Sequence, residues 1–241
     1  ARIPSLEEEQ MASYVMIIML EDGLSAPASI SRIVAKSKTF LTQACGASIM
    51  SFGHAFGAYS TFGNRMESYL KKMEQENLSL QEAAKLLVDE SGYDEALGVS
   101  DLMLQDPTAK KMIARAEKLG VAGINIKFIK EIEKAAQQKS GEALAIDLLG
   151  ATGAVMQDLG FTPEATWAIL SITRSFGAGA HYIEEVERGE FSRLGQDLSP
   201  KENYDGPEDR PVPPLKDREK IATPAICKTP QEWAERFESM K

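Results

Sequence analysis

The chain has 241 residues, which is enough to bury a substantial core in one large domain or in a main domain with a smaller one. Its 27 basic and 36 acidic residues give a net charge of −9, so it offers no diffuse positive field for a nucleic acid or an anionic membrane surface. No apolar run approaches the roughly 20 residues that a membrane-spanning helix needs, which predicts a soluble protein.

Apolar residues recur at spacings of three and four along most of the chain, and this periodicity predicts an all-α fold. Ser5 and Glu8 form a capping-box pattern that begins the first helix. Ser79 and Glu82 repeat the pattern before a helix at 83–88. We expect both helices to begin where a hydroxyl and a carboxylate satisfy the free backbone N–H groups of the first turn.

Prolines and a glycine mark the helix boundaries of the second half of the chain. Pro107 and Pro163 each suit a first helical turn, because the N–H group that proline lacks has no partner there anyway. Gly141 lies in a break between two periodic segments. The pattern predicts helices at 108–119, 126–138 and 143–159 and a long one from 163 towards 187.

The helices of segment 60–139 are shorter, more charged and more often interrupted than the others. We therefore predict that 60–139 forms a small, mobile domain and that 1–59 and 140–241 form a large one. Prolines concentrate in the tail 199–241, where a Pro-Val-Pro-Pro run favours extended polyproline geometry over helix. The chain does not begin with Met, which leaves open that an N-terminal part is missing.

Small residues cluster in two predicted helices, at 44–48 and at 150–154. Residues without bulky side chains allow helix backbones to approach closely, as in tightly crossed bundles and obligate dimers. The clusters therefore favour a homodimer.

Thiols and soft metal ligands are scarce, since the chain has only two cysteines and two histidines. Cys45 and Cys227 form no disulfide framework, which suits a reducing cytoplasm. No set of residues has the spacing of a metal site, so we expect no metal. The glycines also lack the lysine and the preceding strand of a phosphate-binding loop.

Six sequence blocks occur in an order that is similar to the citrate synthase family, which includes citryl-CoA lyase and the C-terminal module of ATP-citrate lyase. They cover the chain from about residue 4 to 207. The blocks are LEDGLSAPASISRIV, SFGHAFGAYSTFGNRMESYL, ALGVSDLMLQDP, LLGATGAVMQDLGF, ITRSFGAGAHYIEEVERG and NYDGP.

This resemblance implies an all-α fold with a large and a small domain, a homodimer, and coenzyme A bound as a thioester between the domains. It also implies a reaction that makes or breaks a carbon–carbon bond beside the thioester carbonyl through an enolate. Such chemistry needs a carboxylate base and neutral imidazoles that donate hydrogen bonds to the developing oxyanion.

The family's two histidines and one aspartate fall on other residue types here. The first histidine position corresponds to Phe56, with His54 two residues earlier, and the second corresponds to Asp101. The aspartate position corresponds to Leu149. Asp147 precedes it by two residues, which on a helix would point its side chain roughly 200° away, so we do not expect it to replace the base.

The resemblance also places the binding residues. Arg174 matches a family arginine that binds the acid substrate, whereas Asp22 matches a histidine that grips a substrate carboxylate. The turn Gly98-Val99-Ser100 corresponds to the coenzyme-binding turn. The family's Arg-Pro near the C-terminus corresponds to Ser199-Pro200. Acidic residues replace cationic ones, so citrate is a poor substrate for this site.

Several residues also have an ordinary structural interpretation. His54 is more often a helix-end histidine than a catalytic group, and Asp101 can equally cap its turn. His181 matches a family histidine whose role is structural.

Three hypotheses remain for the function. The first is an active enzyme on a CoA thioester that uses Asp101 and Arg174 in a remodelled site. The second is a non-catalytic homologue that binds an acyl-CoA or pairs with an active subunit. The third is an ordinary family member in which His54 is the true first histidine, and it is the weakest, because no second histidine lies near Asp101.

Overall fold

Helices dominate the part of the chain that the structure describes, which confirms the predicted all-α fold. The structure is a computed structural model, and it describes residues 2–20, 25–52, 59–91, 97–101 and 107–189. Within these ranges the elements are α1 (Leu6–Ile18), α2 (Ala26–Lys36), α3 (Leu41–Met50), α4 (Tyr59–Glu76), α5 (Leu80–Ser91), β1 (Val99–Asp101), α6 (Pro107–Lys118), α7 (Ile124–Ser140), β2 (Leu144–Ile146), α8 (Leu148–Asp158) and α9 (Pro163–Arg188).

Four helix starts lie where capping and proline signals in the sequence predict them. Ser5 Oγ accepts a hydrogen bond from the Glu8 N–H, and the Glu8 carboxylate accepts one from the Ser5 N–H at 2.8 Å. Ser79 and Glu82 make the same reciprocal pair at the start of α5. Proline occupies the first residue of both α6 and α9. Each start satisfies or removes backbone donors that the helix itself leaves unpaired.

The helix predicted at 143–159 begins later than expected. Leu144–Ile146 forms β2, which pairs antiparallel with β1 so that Val99 lies opposite Ile146. Asp147 then caps α8 instead of lying inside it. An apolar run of three residues shows no period, so the sequence pattern could not separate a short strand from a helical turn.

The helices pack in two overlapping groups. In one, α2, α3 and α9 pack against one another, and in the other α7 packs against α5 and α8 while α6 packs against α8. Helix α4 contacts α9, α5 and α8 and so links the groups. The fully buried side chains include Phe62 of α4 and Phe128 of α7. The core therefore runs along both groups and fixes the start of α8 and the middle of α9, where the candidate site residues Asp147, Leu149 and Arg174 lie.

The N-terminus of α7 is capped by a residue far away in the sequence. The carboxylate of Asp158, at the end of α8, accepts hydrogen bonds from the N–H groups of Gly123, Asn125 and Ile126 at 2.7–3.0 Å. It also accepts one from Asn125 Nδ2 at 2.9 Å. The negative charge of Asp158 also interacts favourably with the dipole of α7. Because it caps α7 from the end of α8, Asp158 links the two helices.

No helix among the described residues is both long and apolar enough to cross a bilayer. The division into a large domain and a mobile small domain at 60–139 stays a prediction.

Candidate functional site

The glycine turn before β1 lies directly against the start of α8. Gly98 has a φ of +78°, and a Cβ built on Gly150 would lie only 2.2 Å from the Gly98 carbonyl oxygen. A Cβ on Gly98 would in turn lie 2.5 Å from the ring of Phe62. Only glycine at both positions allows this approach. The contact brings the predicted coenzyme-binding turn and the predicted base position into one region of the fold.

Asp147 is the carboxylate nearest to this contact among the residues whose side chains are described. Its N–H donates to the Gly98 carbonyl at 3.0 Å, and its Oδ1 accepts from the Gly150 N–H at 2.8 Å. Burial raises the pKa of the Asp147 carboxyl, and the hydrogen bonds from Gly150 and Leu149 only partly oppose this. A buried carboxyl with a raised pKa is a stronger base once ionised than an exposed one.

This geometry removes the reason for dismissing Asp147. Residues 147 and 149 do not lie on one helix, because Asp147 has extended backbone angles and precedes α8. Leu149 is the second residue of α8 and is half-buried against the core. Sequence reasoning missed Asp147 because it assigned 144–146 to a helix.

The predicted turn residues have defined backbone positions. Val99 and Ser100 lie in β1, with Ser100 opposite Ala145 of β2. The backbone of Asp101 ends β1 opposite Leu144, while its side chain lies outside the part of the structure that is described. The strand pairing fixes the path of the turn relative to Asp147, because β1 begins directly after Gly98 and β2 ends directly before Asp147.

Arg174 lies in the middle of α9 and is buried, with 8% of its surface exposed. It lines a small cavity of about 10 Å³, which is about the volume that one water molecule requires. The other lining residues are Leu20, Pro27, Ala28, Ser48, Phe52, Gly177, Ala178 and His181. Arg174, Gly177, Ala178 and His181 follow the helical spacing, so they share one face of α9.

A charged network adjoins this face of α9. Arg32 of α2 contacts His181 Nδ1 through Nη2 at 2.7 Å, and its Nη1 lies 2.8 Å from the carboxylates of both Glu184 and Glu185. Burial disfavours the charge of Arg32, but the hydrogen bonds from its guanidinium to Glu185 and Glu184 outweigh it, so the pKa of Arg32 is raised. Arg188 also reaches Glu185, at 3.2 Å. The network compensates the charge of the buried Glu185.

Three of the predicted site residues, Asp22, His54 and Phe56, lie outside the described residues, as does the Ser199-Pro200 pair.

A metal centre has no support among the side chains that the structure describes. No group of three or more His, Cys, Asp or Glu residues is arranged to hold an ion within these ranges.

Solved structures with the same architecture come from three kinds of enzyme. The citryl-CoA lyase of Hydrogenobacter thermophilus matches with a TM-score of 0.73 and 21% identity, over 91% of this chain and 84% of that one. The Thermoplasma acidophilum citrate synthase, in a ternary complex with carboxymethyl coenzyme A and oxaloacetate, matches with a TM-score of 0.67 and 18% identity. The match covers 90% of this chain and 57% of that one. These likenesses define a citrate synthase-like all-α fold.

A Methanosaeta concilii ATP citrate lyase in complex with (3S)-citryl-CoA matches with a TM-score of 0.61 and 13% identity. This chain is covered over 90% of its length but spans only 36% of that lyase. No curated protein sequence gives a significant match.

The family itself is shown by the sequence. Residues 2–194 match the model of the citrate synthase C-terminal domain, which is most of the chain. The protein belongs to the citrate synthase family.

Proposed function

We propose that this protein is an enzyme that acts on a coenzyme A thioester and makes or breaks a carbon–carbon bond beside the thioester carbonyl. The solved structures that share its fold include a citryl-CoA lyase and a citrate synthase with a bound coenzyme A analogue. The proposal carries their reaction class to this chain, with coenzyme A as the carrier of the substrate and with no metal.

The contact between Gly98 and Gly150 is the observation that carries the proposal. It places a half-buried carboxyl, Asp147, beside the glycine turn 98–100 that we assign to coenzyme binding. In the condensing direction a carboxylate removes the proton on the carbon next to the thioester carbonyl, and the enolate then attacks a second carbonyl. In the cleaving direction the same carboxyl returns the proton to the enolate.

Asp147 and Asp101 divide this work in the proposed mechanism. Asp147 acts as the base, because burial raises its pKa and it is fixed at the start of α8. Asp101 follows the coenzyme-binding turn and transfers the second proton, together with His54, to or from the oxygen of the attacked carbonyl. Oxyanion stabilisation by backbone donors of the turn would replace what the family's histidines provide.

Arg174 binds the acid group of the second substrate. It is buried on α9 and shares a cavity with Leu20 and Phe52, which lead to the segments that contain Asp22, His54 and Phe56. Asp22, at the position that the resemblance assigns to a carboxylate-binding histidine, disfavours a tricarboxylate such as citrate, since like charges repel. Phe56 and Leu149 add apolar surface, which suits a less polar acyl group.

A homodimer completes the proposal. Eight large apolar side chains on α3, on α9 and just before α3 are exposed in the isolated chain: Phe40, Leu41, Ile49, Met50, Ile172, Phe176, Ile183 and Val186. Cys45 and Gly179 show that α3 and α9 pack side by side, so these residues can form one surface. A contiguous exposed apolar surface favours association with a second copy. The cysteine content suits a cytoplasmic location.

The alternative function is a non-catalytic homologue that binds an acyl-CoA or serves as the partner of an active subunit. The replacement of both family histidines, at Phe56 and Asp101, favours this alternative. It predicts binding of the thioester without turnover.

A screen of acyl-CoA esters, each with and without an oxo acid or a dicarboxylate, tests both functions. Thermal stabilisation reports binding, and mass spectrometry reports products. The enzyme hypothesis predicts a consumed or newly formed CoA thioester, and Asp101→Asn retains binding while lowering the rate. Binding without any product would support the acyl-CoA-binding homologue, and binding of no ester at all would refute both the enzyme and that homologue.

A further inference from the structure

A cavity of about 530 Å³ lies between α6, α7 and β2, and the proposed function makes no use of it. This volume is within the range of protein sites that hold small molecules. Two helices and the β2 segment share the lining, which consists of Lys110, Ile113, Ala114 and Glu117 of α6, Lys130, Glu133, Lys134 and Gln137 of α7, and residues 143–146. None of these side chains has a role in the proposed reaction.

The cavity lies against the edge of β2 that faces away from β1. On the side of β1, the N–H of Asp147 donates to the Gly98 carbonyl at 3.0 Å. On the outer side, the N–H of Ile146 donates to Oε1 of Glu133, a cavity-lining residue, at 3.0 Å. Backbone groups of consecutive residues in a strand alternate between its two edges. The cavity and the predicted coenzyme-binding turn therefore lie on opposite edges of the same segment.

The bottom of the cavity is apolar. Ile113 of α6 and the three residues of β2 are each at most 8% exposed, so they lie deepest in the lining. Covering such a surface with hydrocarbon removes it from water, which favours binding. None of the described lining residues is aromatic, so a nucleobase would have no ring on which to stack. The bottom therefore suits an aliphatic group.

The opening of the cavity carries exposed ammonium groups. Lys130 is paired with Glu117 of α6. Lys134 is paired with Glu131 of its own helix. The exposed ammonium of Lys110 makes no ion pair or hydrogen bond within the part of the chain that the structure describes. Lys110 can therefore hold an anionic group at the opening without giving up another partner.

We propose that this cavity is a second ligand site, which binds an aliphatic carboxylate and acts through β2 on Asp147. The ammonium of Lys110 pairs with the carboxylate at the opening, while the hydrocarbon chain covers Ile113 and β2. The binding part of the proposal is independent of the reaction assigned to the protein. The effect on Asp147 rests on the proposed function, which makes this residue the base.

The strand connects the cavity with the base. Glu133 holds the outer edge of β2 at Ile146, and Gln137 Nε2 holds it at the Leu144 carbonyl at 2.7 Å. A bound carboxylate repels the carboxylate of Glu133 and so shifts its hydrogen bond to the strand. Asp147 follows β2 directly, and its own hydrogen bond to the coenzyme-binding turn shifts with it. Occupation of the cavity therefore changes the position of the base.

Titration of the ¹⁵N-labelled full chain with octanoate, followed by NMR, tests the site. We expect saturable binding that shifts the amide signals of α6, α7 and β2. Acetate lacks the hydrocarbon chain and should bind at least about ten-fold more weakly. Octanol lacks the charge and should also bind more weakly. Equal affinity for either probe contradicts the assigned chemistry, and no octanoate binding, or shifts confined to α3 and α9, overturns the site.

Two neighbouring lysines of α6 provide matched variants. Lys110→Glu places a like charge beside the carboxylate and should weaken octanoate binding about ten-fold. Lys111→Glu makes the same change of net charge at an exposed residue outside the lining, so the affinity should change less than about three-fold. Equal losses in the two variants refute the contact with Lys110.

A third variant tests the location of the ligand without touching the core. Ala114 is exposed and lines the cavity, so Ala114→Leu should fill the space and abolish octanoate binding while the chain stays folded. Undiminished binding to this variant places the ligand elsewhere and overturns the site.

The same spectra test the effect on the base without any need for turnover. At saturating octanoate the amide signals of Asp147 and Gly150 should shift in the wild type and stay unchanged in Ala114→Leu. If these two signals stay in place while those of α6 and α7 move, the connection through β2 is wrong. If they move but Asp147→Asn retains full turnover of the thioester, the proposed function fails and the second ligand site stands.

Discussion

Replacing Asp147 by Asn or by Ala separates its two roles, as helix cap and as base. The side chain accepts the Gly150 N–H at 2.8 Å. Asparagine is as good an N-cap as aspartate, so Asp147→Asn retains this hydrogen bond, whereas Asp147→Ala leaves the donor without it. Loss of an N-cap costs about 1 kcal/mol, which corresponds to a decrease in Tm of about 2–4 °C for a chain of this size.

The effect of pH on stability has a definite sign at this residue. Burial raises the pKa of Asp147 in the folded state above the ordinary value of an aspartate carboxyl. The folded state therefore binds the proton more tightly, and the stability that protonation contributes is lost as the pH rises through the raised pKa. At pH 7 Asp147→Asn removes this penalty, so we expect its Tm to equal or slightly exceed that of the wild type.

Activity responds differently, because neither variant retains a base. We expect both to lower turnover of the thioester identified by the screen by at least roughly 100-fold, the usual contribution of a general base. Thermal unfolding by circular dichroism and steady-state kinetics measure the two effects. The reasoning fails if Asp147→Asn turns over at the wild-type rate, or if it loses as much stability as Asp147→Ala.

Three further predictions concern capping, packing and assembly. Asp158→Ala should lower the free energy of unfolding by about 3 kcal/mol in urea titrations, because three backbone N–H groups at the start of α7 lose a charged acceptor. A change below about 1 kcal/mol would contradict the capping role. Gly150→Ala should lower the free energy of unfolding by about 3 kcal/mol in the same assay, because the new Cβ would clash with Gly98. Gly179→Ala should be neutral or stabilising, because its Cβ would meet only ordinary contacts at 3.6 Å or more. Equal losses of stability in the two variants would refute the packing argument. Phe176→Glu should convert a dimer into a monomer in sedimentation at micromolar concentration, while Ile124→Glu on α7 should not; a wild-type chain that is already monomeric would refute the dimer.

The sequence predicts local features of this fold well and distant contacts poorly. The Ser5–Glu8 box and Pro163 mark helix starts because their partners lie within a few residues, where the pattern is visible. Asp158 caps a helix that begins 32 to 35 residues earlier, and no local pattern reveals this.

The candidate site shows the same division. Arg174 is recognisable from its sequence block, but the contact between Arg32 and His181 joins residues 149 positions apart and depends on how α2 packs against α9. Asp147 was assigned to the wrong environment because the three residues of β2 are too few to show a period. The chemistry of these residues depends on packing, which periodicity does not encode.

The cap that Asp158 provides for α7 also has a consequence for synthesis on the ribosome. The chain is made from its N-terminus, so Gly123 and the start of α7 are polymerised 35 residues before the carboxylate that satisfies them. At about 5–20 residues per second this delay is about two to seven seconds. During that time the nascent α7 has water as the acceptor for its first N–H groups, and its apolar face has no α8 to pack against. Folding of this region is thus coupled to the release of residue 158 from the ribosome, and a chain truncated before that residue should expose α7 to chaperones and proteases.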